Sequence, residues 1–308
     1  MASSVFKTHF VLRLVLVFSL LHMSFGTRKL TGLWHESTIL NYHNGPLLYG
    51  NVLIDIVWYG EFSASQRGII CDFITSFSSP AQSEPSVATW FATVNKYYPL
   101  TEGRIPSSVS ISLGNQQHDK KYSHGKSLTQ DQIKQMALAA RGHQTNVIVV
   151  VLTSADVTVQ EFCMICGTHG SSGNDFVYIW VGNSETQCPG QCAWPFHQPL
   201  YGPQVPPLIP PNDDMGTDGM VINIGSLIVG VITNPYGNGI YQGVANAPLE
   251  ACTACPGIYG PGAYPGYPGQ LLVDTATGCS HNTYGASGRK YLVPAMFDPT
   301  TSACSTLV

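Results

Sequence analysis

Cysteine spacing offers the first candidate chemistry in this sequence. Two close pairs, Cys163/Cys166 and Cys188/Cys192, have the separation of ligands in a tetrahedral zinc site. In an oxidising compartment, thiols at this spacing form disulfides more often than metal sites or redox-active pairs. The sequence therefore favours a disulfide framework over zinc and leaves its connectivity open. The candidates are Cys163, Cys166, Cys188, Cys192, Cys252, Cys255, Cys279 and Cys304.

Three histidines are candidate site residues because each stands beside glycine, proline or cysteine in a segment that can converge on a site. They are His43 in YHNGP, His169 in CGTHG and His197 in CAWPFHQP. An imidazole can bind a metal or act as a general base, but it can equally be a hydrogen-bonded structural group. The sequence leaves these alternatives open for all three.

Established catalytic motifs are missing from the sequence. It contains no GxSxG, no phosphate-binding loop, no dinucleotide-binding GxGxxG and no HExxH. A glycosidase needs two facing carboxylates, and nothing in the sequence pairs any two of its acids. We therefore assign no catalytic residue, metal or cofactor from these motifs.

Composition excludes two classes of protein. Only 10% of the 308 residues are charged and 44% are hydrophobic, with a formal net charge of −4, so a disordered polyelectrolyte is excluded. No Lys or Arg occurs between Arg141 and Arg289, so this long segment has no Lys or Arg side chain that could bind the phosphate groups of a nucleic acid. A nucleic-acid partner is therefore not expected.

The first 26 residues have the features of a secretory signal: Lys7 and Arg13, an apolar stretch, and small residues before a cleavage site after Gly26. The sequence thus predicts a signal peptide over 1–26, a single mature domain over 27–308, and secretion. The apolar run Met220–Ile232 is too short for a membrane span.

These candidate residues must be positioned by alternating strands and helices. β-branched and aromatic runs predict strands at Gly50–Tyr59, Ser107–Leu113, Asn146–Leu152 and Phe176–Val181. Capping boxes at Ser63/Gln66 and Thr129/Gln132 predict the starts of two helices, and Val87–Tyr98 is a third helix candidate. Asp218–Thr233 reads as a buried helix with Asp218 as N-cap, or as a buried strand. Alternation of this kind indicates a layered α/β sheet.

Several long peptides resemble the plant EXORDIUM / phosphate-induced protein 1 family: YHNGPLLYG, WYGEFSASQRGIICDFI, EFCMICGTHG, VGNSETQCPGQCAWPFHQP and the terminal GRKYLVPAMFDPTTSACSTLV. The resemblance covers the chain from about Tyr42 to Val308. It implies a secreted apoplastic or cell-wall protein linked to brassinosteroid-dependent growth, without an established enzymatic activity.

The resemblance also bears on the cysteines. It implies that six of them form a shared framework and that Cys252 and Cys279 form an extra bridge. The shared six are Cys163, Cys166, Cys188, Cys192, Cys255 and Cys304. Cys71 lies beside the apolar stripe of the first predicted helix, which predicts a half-buried free thiol.

A second, fainter resemblance concerns GSLIVGVITNP followed by LEACTAC, which is similar to a pattern in secreted bacterial zincin-like proteins. Ser226, Leu227 and Gly230 stand where those proteins carry the metal-binding and catalytic side chains, and Glu250 still matches. The resemblance implies a degenerate metal site without metal, in which Ser226 and Gly230 face Glu250. A helix packing face made of small residues explains the same pattern without such ancestry.

Together these observations predict an α/β fold with a mixed, largely parallel central sheet flanked by helices, a disulfide-stabilised, loop-rich C-terminal half, and a degenerate zincin-like arrangement. The favoured function is a non-catalytic, secreted growth-related protein with a cell-wall polysaccharide or an extracellular protein as partner. Trp180, Trp194, Phe196 and Tyr201 are candidates for stacking on sugar rings. The alternative is an extracellular hydrolase, either an atypical metallopeptidase or a glycosidase.

Overall fold

The computed structural model describes residues 38–79, 83–106, 108–142, 145–173, 175–202 and 205–308. The predicted signal peptide over residues 1–26 lies outside the described residues, so the boundary between residues 26 and 27 stays a prediction. Contacts join residues 38–308 into one unit.

Strands and helices alternate through the first half, and short strands dominate the second. The strands are β1 Asn41–Tyr42, β2 Gly50–Tyr59, β3 Val109–Asp119, β4 Ser127–Leu128, β5 Val147–Thr153, β6 Thr158–Val159, β7 Gly167–Ser172, β8 Phe176–Gly182, β9 Ile240–Val244, β10 Ala247–Leu249, β11 Leu272–Val273, β12 Ser280–His281, β13 Thr283–Tyr284, β14 Lys290–Tyr291, β15 Met296–Asp298 and β16 Ala303–Ser305. The helices are α1 Ala64–Ser76, α2 Val87–Ala92, α3 Gln130–Arg141, α4 Pro189–Cys192 and α5 Met215–Thr233, with 3₁₀ turns at Thr93–Lys96, Tyr98–Thr101 and Ala286–Gly288.

The central sheet has the order β3-β2-β5-β8-β7. The first four strands are parallel and β7 pairs antiparallel with β8. Every side chain of β5 is buried, and alternate residues enter two cores. Val149 and Val151 pack with helix α3, whereas Ile148 and Val150 pack with α1 and α5. The predicted mixed, largely parallel sheet flanked by helices is therefore present, as helices cover both of its faces.

Both predicted capping boxes are formed. The side chain of Ser63 accepts from the backbone N–H of Gln66, and Thr129 makes the same arrangement with Gln132. The third predicted helix is shorter than expected. It ends at Ala92 and continues as 3₁₀ turns at Thr93–Lys96 and Tyr98–Thr101.

Helix α5 is the buried segment that the sequence left as helix or strand. Its N-cap is Asp214, which accepts from the backbone N–H of Thr217 at 2.8 Å, so the prediction of Asp218 as N-cap was wrong. Asp218 lies in the first turn, where both of its oxygens accept hydrogen bonds from Asn212. The helix is long and apolar enough to span a membrane, but most of it is buried within the protein, as in a core helix.

Three disulfides join the six cysteines of the shared framework: Cys163–Cys188, Cys166–Cys192 and Cys255–Cys304. The first two disulfides use the four cysteines that the zinc alternative would have used as metal ligands.

The implied bridge between Cys252 and Cys279 was wrong, because both thiols are free and buried. They lie in different surroundings. Cys252 packs in the main core beside α5, whereas Cys279 lines a surface cleft next to Ile209. Cys71 is free and partly buried, as predicted.

Candidate functional site

Helix α5 and the residue after β10 meet at the position of the expected degenerate site. Gly230 lies so close to Glu250 that a Cβ atom at position 230 would stand 2.6 Å from Glu250 Oε2 and 3.3 Å from His169 Nε2. Glu250 is 5% exposed. Only a residue without a side chain allows this approach between the helix and the carboxylate, so glycine at position 230 has a local steric reason.

The Glu250 carboxylate is held by two side chains. His169, on the edge strand β7, lies with Nε2 at 3.0 and 2.9 Å from the two carboxylate oxygens. Asn234, the C-cap of α5, donates to Oε1 at 2.8 Å and accepts from the backbone N–H of Gly239. An ionised carboxylate only accepts, and toward that form of Glu250 the imidazole of His169 donates from Nε2. Both oxygens of this buried acid are thereby satisfied, as a stable buried carboxylate requires.

Ser226 and Leu227, the other two helix positions of the expected degenerate site, carry no charge. Ser226 hydrogen-bonds with the thiol of Cys252, whose pKa is raised by burial and lowered in part by that bond. Leu227 packs against β7 beside Gly167.

The donor set of this site does not fit zinc. Zinc in proteins takes imidazole, thiolate or carboxylate ligands, and α5 offers none at positions 226, 227 and 230. In the part of the chain that the structure describes, no group of three or more His, Cys, Asp or Glu side chains is placed to hold a metal. No metal-assisted step is derived for this site.

The three predicted site histidines do not converge. His169 meets Glu250, as described. His43 is stacked on Tyr241 with ring centroids 3.8 Å apart, and its Nε2 is 3.1 Å from the Tyr241 carbonyl oxygen. His197 is exposed, and its Nδ1 lies 2.9 Å from the carbonyl oxygen of Gln198. Of these three imidazoles, only that of His169 contacts a carboxylate among the described residues.

Of the four aromatic residues predicted to stack on sugar rings, two are buried and two line a surface groove. Trp180 and Phe196 are buried in the cores. Trp194 and Tyr201 instead line a surface groove of about 370 Å³, together with Pro199, and Tyr201 is 88% exposed. We call this surface the aromatic groove. Its remaining lining residues are Gly190, Gln191, Gly202, Gly257, Pro265 and Gly266.

A larger polar cleft of about 770 Å³ lies between the segment before α5 and the β13–β14 turn. Its two cations are engaged in ion pairs, Arg289 with Asp72 at 2.7 Å and Lys290 with Asp274. Below it, burial raises the pKa of Asp218 to about 7. These pairs link α1 and the C-terminal segments, which gives the cleft residues a structural role.

The sequence predictions missed a third concave surface at the carboxyl ends of β2 and β3. It measures about 400 Å³ and includes His118, Asp119 and His124. The run HDKKYSHGK at 118–126 carries the only signal for it, because it concentrates cations in a chain that has few.

Comparison with known proteins agrees with the resemblance noted from the sequence. The model of the phosphate-induced protein 1 conserved region matches residues 40–307. The chain is 56% identical to Protein PHOSPHATE-INDUCED 1 of Nicotiana tabacum, over 98% of this chain and 99% of that protein. It is 57% identical to Protein EXORDIUM of Arabidopsis thaliana, over 97% and 99% respectively. No solved structure matches. The chain therefore belongs to the EXORDIUM / phosphate-induced protein 1 family of plants.

Proposed function

We propose that this protein is secreted to the plant cell wall, where it supports brassinosteroid-dependent growth by binding polysaccharide without chemical turnover. Membership of the EXORDIUM / phosphate-induced protein 1 family supports a growth-related role in plants. The signal-like residues 1–26 support export, and three disulfides are typical of an oxidising compartment.

The aromatic groove is the observation that carries the binding function. Tyr201 presents 88% of its surface to solvent, beside the partly exposed ring of Trp194. Side chains of this size are usually buried, and an exposed aromatic pair indicates a contact surface. None of the described residues that line the groove is charged. A neutral sugar ring, with an apolar face and peripheral hydroxyls, matches such a surface.

A binding measurement tests this proposal. Titration of the disulfide-bonded protein with a soluble neutral wall glucan is expected to show saturable binding. Replacing Tyr201 by Ala should weaken it by about five- to tenfold, the cost of about one aromatic stacking contact. Tyr49→Ala is the matched control, because Tyr49 is 50% exposed and does not line the groove. Equal affinity in both variants would contradict the proposal.

The hydrolase alternative rests on the His169–Glu250 pair, since an imidazole oriented by a carboxylate is a common general base. The pair lacks a second catalytic group: a glycosidase needs another facing carboxylate, and zinc has no ligand set on α5. Incubation with wall glucan and with peptide substrates is expected to release no products. Turnover that His169→Gln abolishes, or stoichiometric zinc with chelator-sensitive cleavage, would establish the hydrolase.

A further inference from the structure

The groove at the carboxyl ends of β2 and β3 combines three kinds of surface. Apolar side chains from β2 and helix α3 and polar side chains from β3, α3 and the following loop line it, together with two histidines and one aspartate. The lining residues are Val57, Met136, Ala139, Gln117, Ser123, Gln135, His118, Asp119 and His124. In open α/β sheets, ligands bind outside the carboxyl ends of parallel strands. We call this surface the strand-end groove.

The loop that borders this groove concentrates positive charge. Lys120, Lys121 and Lys126 fall within seven residues, in a chain with 14 Lys and Arg in total. Lys126 is paired with Asp156 at 2.5 Å. Lys120 and Lys121 are exposed, and among the described residues neither has an acidic side chain within ion-pair distance. Two unneutralised cations therefore stand beside the groove.

One of these cations, Lys120, lies close enough to His118 to influence its titration. Burial, and then the charges of Arg67 and Lys120, lower the pKa of His118. The one acid in the lining, Asp119, accepts from the backbone N–H groups of Lys121 and Ser123 and from the Ser123 hydroxyl. Its charge is thus partly compensated inside the turn, and the two exposed lysines of the loop outnumber it.

We propose that the strand-end groove binds an acidic polysaccharide, a chain of uronate sugars whose carboxylates pair with Lys120 and Lys121. The apolar floor of Val57 and Met136 suits the CH face of a sugar ring, and the exposed Gln135 amide suits its hydroxyls, whereas the Gln117 amide already donates to the Ala140 carbonyl oxygen. An acidic peptide would use the lysines but presents no ring face to this floor. The inference rests on the proposed function only for its location in the wall, because it uses a surface separate from the aromatic groove.

The test compares polygalacturonate with its fully methyl-esterified form, which keeps the sugar backbone and removes the charge. The disulfide-bonded protein is expected to bind the acid form, with an affinity that falls as salt rises. The double substitution Lys120→Gln/Lys121→Gln should weaken binding about tenfold. Arg104→Gln is a control for the loss of one surface cation, since Arg104 is exposed and paired with Glu102 in the segment before the opposite end of β3. It should leave binding unchanged.

Two further measurements distinguish a sugar ligand from an acidic peptide, and the strand-end groove from the aromatic groove. Polygalacturonate should bind more tightly than poly-glutamate of matched length and charge, because only the sugar presents a ring face to Val57 and Met136. Tyr201→Ala should not affect polygalacturonate, so loss of neutral-glucan binding and loss of uronate binding are distinguishable. Equal binding of the acid and esterified forms, or binding of poly-glutamate as tight as that of polygalacturonate, would overturn the proposal.

Discussion

Replacing Gly230 by Ala should destabilise the protein, although alanine is the better helix former. In an exposed helix interior this change stabilises by about 1 kcal/mol. Here the new Cβ would lie 2.6 Å from Glu250 Oε2, closer than non-bonded atoms can approach. Either the helix or the carboxylate must move.

The magnitude follows from what the carboxylate loses when it moves. Glu250 accepts from His169 and Asn234 at 2.8 to 3.0 Å, and hydrogen bonds to charged groups contribute about 1.5–3 kcal/mol each. Losing one of them outweighs the gain in helix propensity, so the net loss of stability is about 1–2 kcal/mol. In a Glu250→Ala background the nearest obstacle is absent, and His169, whose Nε2 lies 3.3 Å from the new Cβ, has lost its partner and can shift, so Gly230→Ala should then stabilise by about 1 kcal/mol.

A double-mutant cycle by urea unfolding of the disulfide-bonded protein measures this coupling. We expect an interaction free energy of about 2–3 kcal/mol between positions 230 and 250. Additive effects, or a Gly230→Ala protein more stable than the parent, would refute the steric argument and the tight packing of α5 against Glu250.

Three further predictions follow from burial and capping. Burial raises the folded-state pKa of Asp218 to about 7, so the folded chain holds a proton there that the unfolded chain releases above about pH 4. The contribution of this carboxyl to the free energy of unfolding should therefore fall by on the order of 4 kcal/mol as the pH rises from 4 to 7. Asp218→Asn should remove that slope, and an unchanged pH profile would contradict it. Iodoacetamide should modify Cys71 in the native protein before Cys252 and Cys279, which are buried; mass spectrometry showing equal rates would contradict that burial. Thr129→Ala should cost about 1 kcal/mol in urea unfolding, since it removes a capping hydrogen bond, and no change would show that the box adds no stability.

The predictable parts of the fold are those where local pattern and tertiary environment agree. The β-branched run at 146–152 became β5 at Val147–Thr153, because a central strand buried on both faces needs such residues. Strand β7 was not predicted, since GTHGSS contains no apolar periodicity. Its extended conformation comes from antiparallel pairing with β8, which the local sequence does not encode.

In the candidate site, too, some contacts were predicted from the sequence and others were not. Proximity of Gly230 and Glu250 was expected from the zincin-like resemblance, whereas the role of His169 depends on β7 lying at the edge of the sheet beside α5. Asn234 was missed, because a helix C-cap reaching an acid sixteen residues away leaves no local pattern. Disulfide connectivity could not be predicted from the residues either, because it depends on how segments 25 to 49 residues apart are placed in the fold.

If the chain is exported as proposed, helix α5 has to pass through a translocation channel. Its mean hydropathy of 1.6 over an 18-residue window approaches that of a membrane segment. Retention of such a segment in a bilayer is favoured by Lys or Arg close to its ends. The chain carries no Lys or Arg from residue 142 to 288, and four glycines and an asparagine interrupt the apolar surface of the helix. In an exported chain, this lack of flanking cations leaves the helix without a stop-transfer signal, so it can reach the far side and pack into its own core.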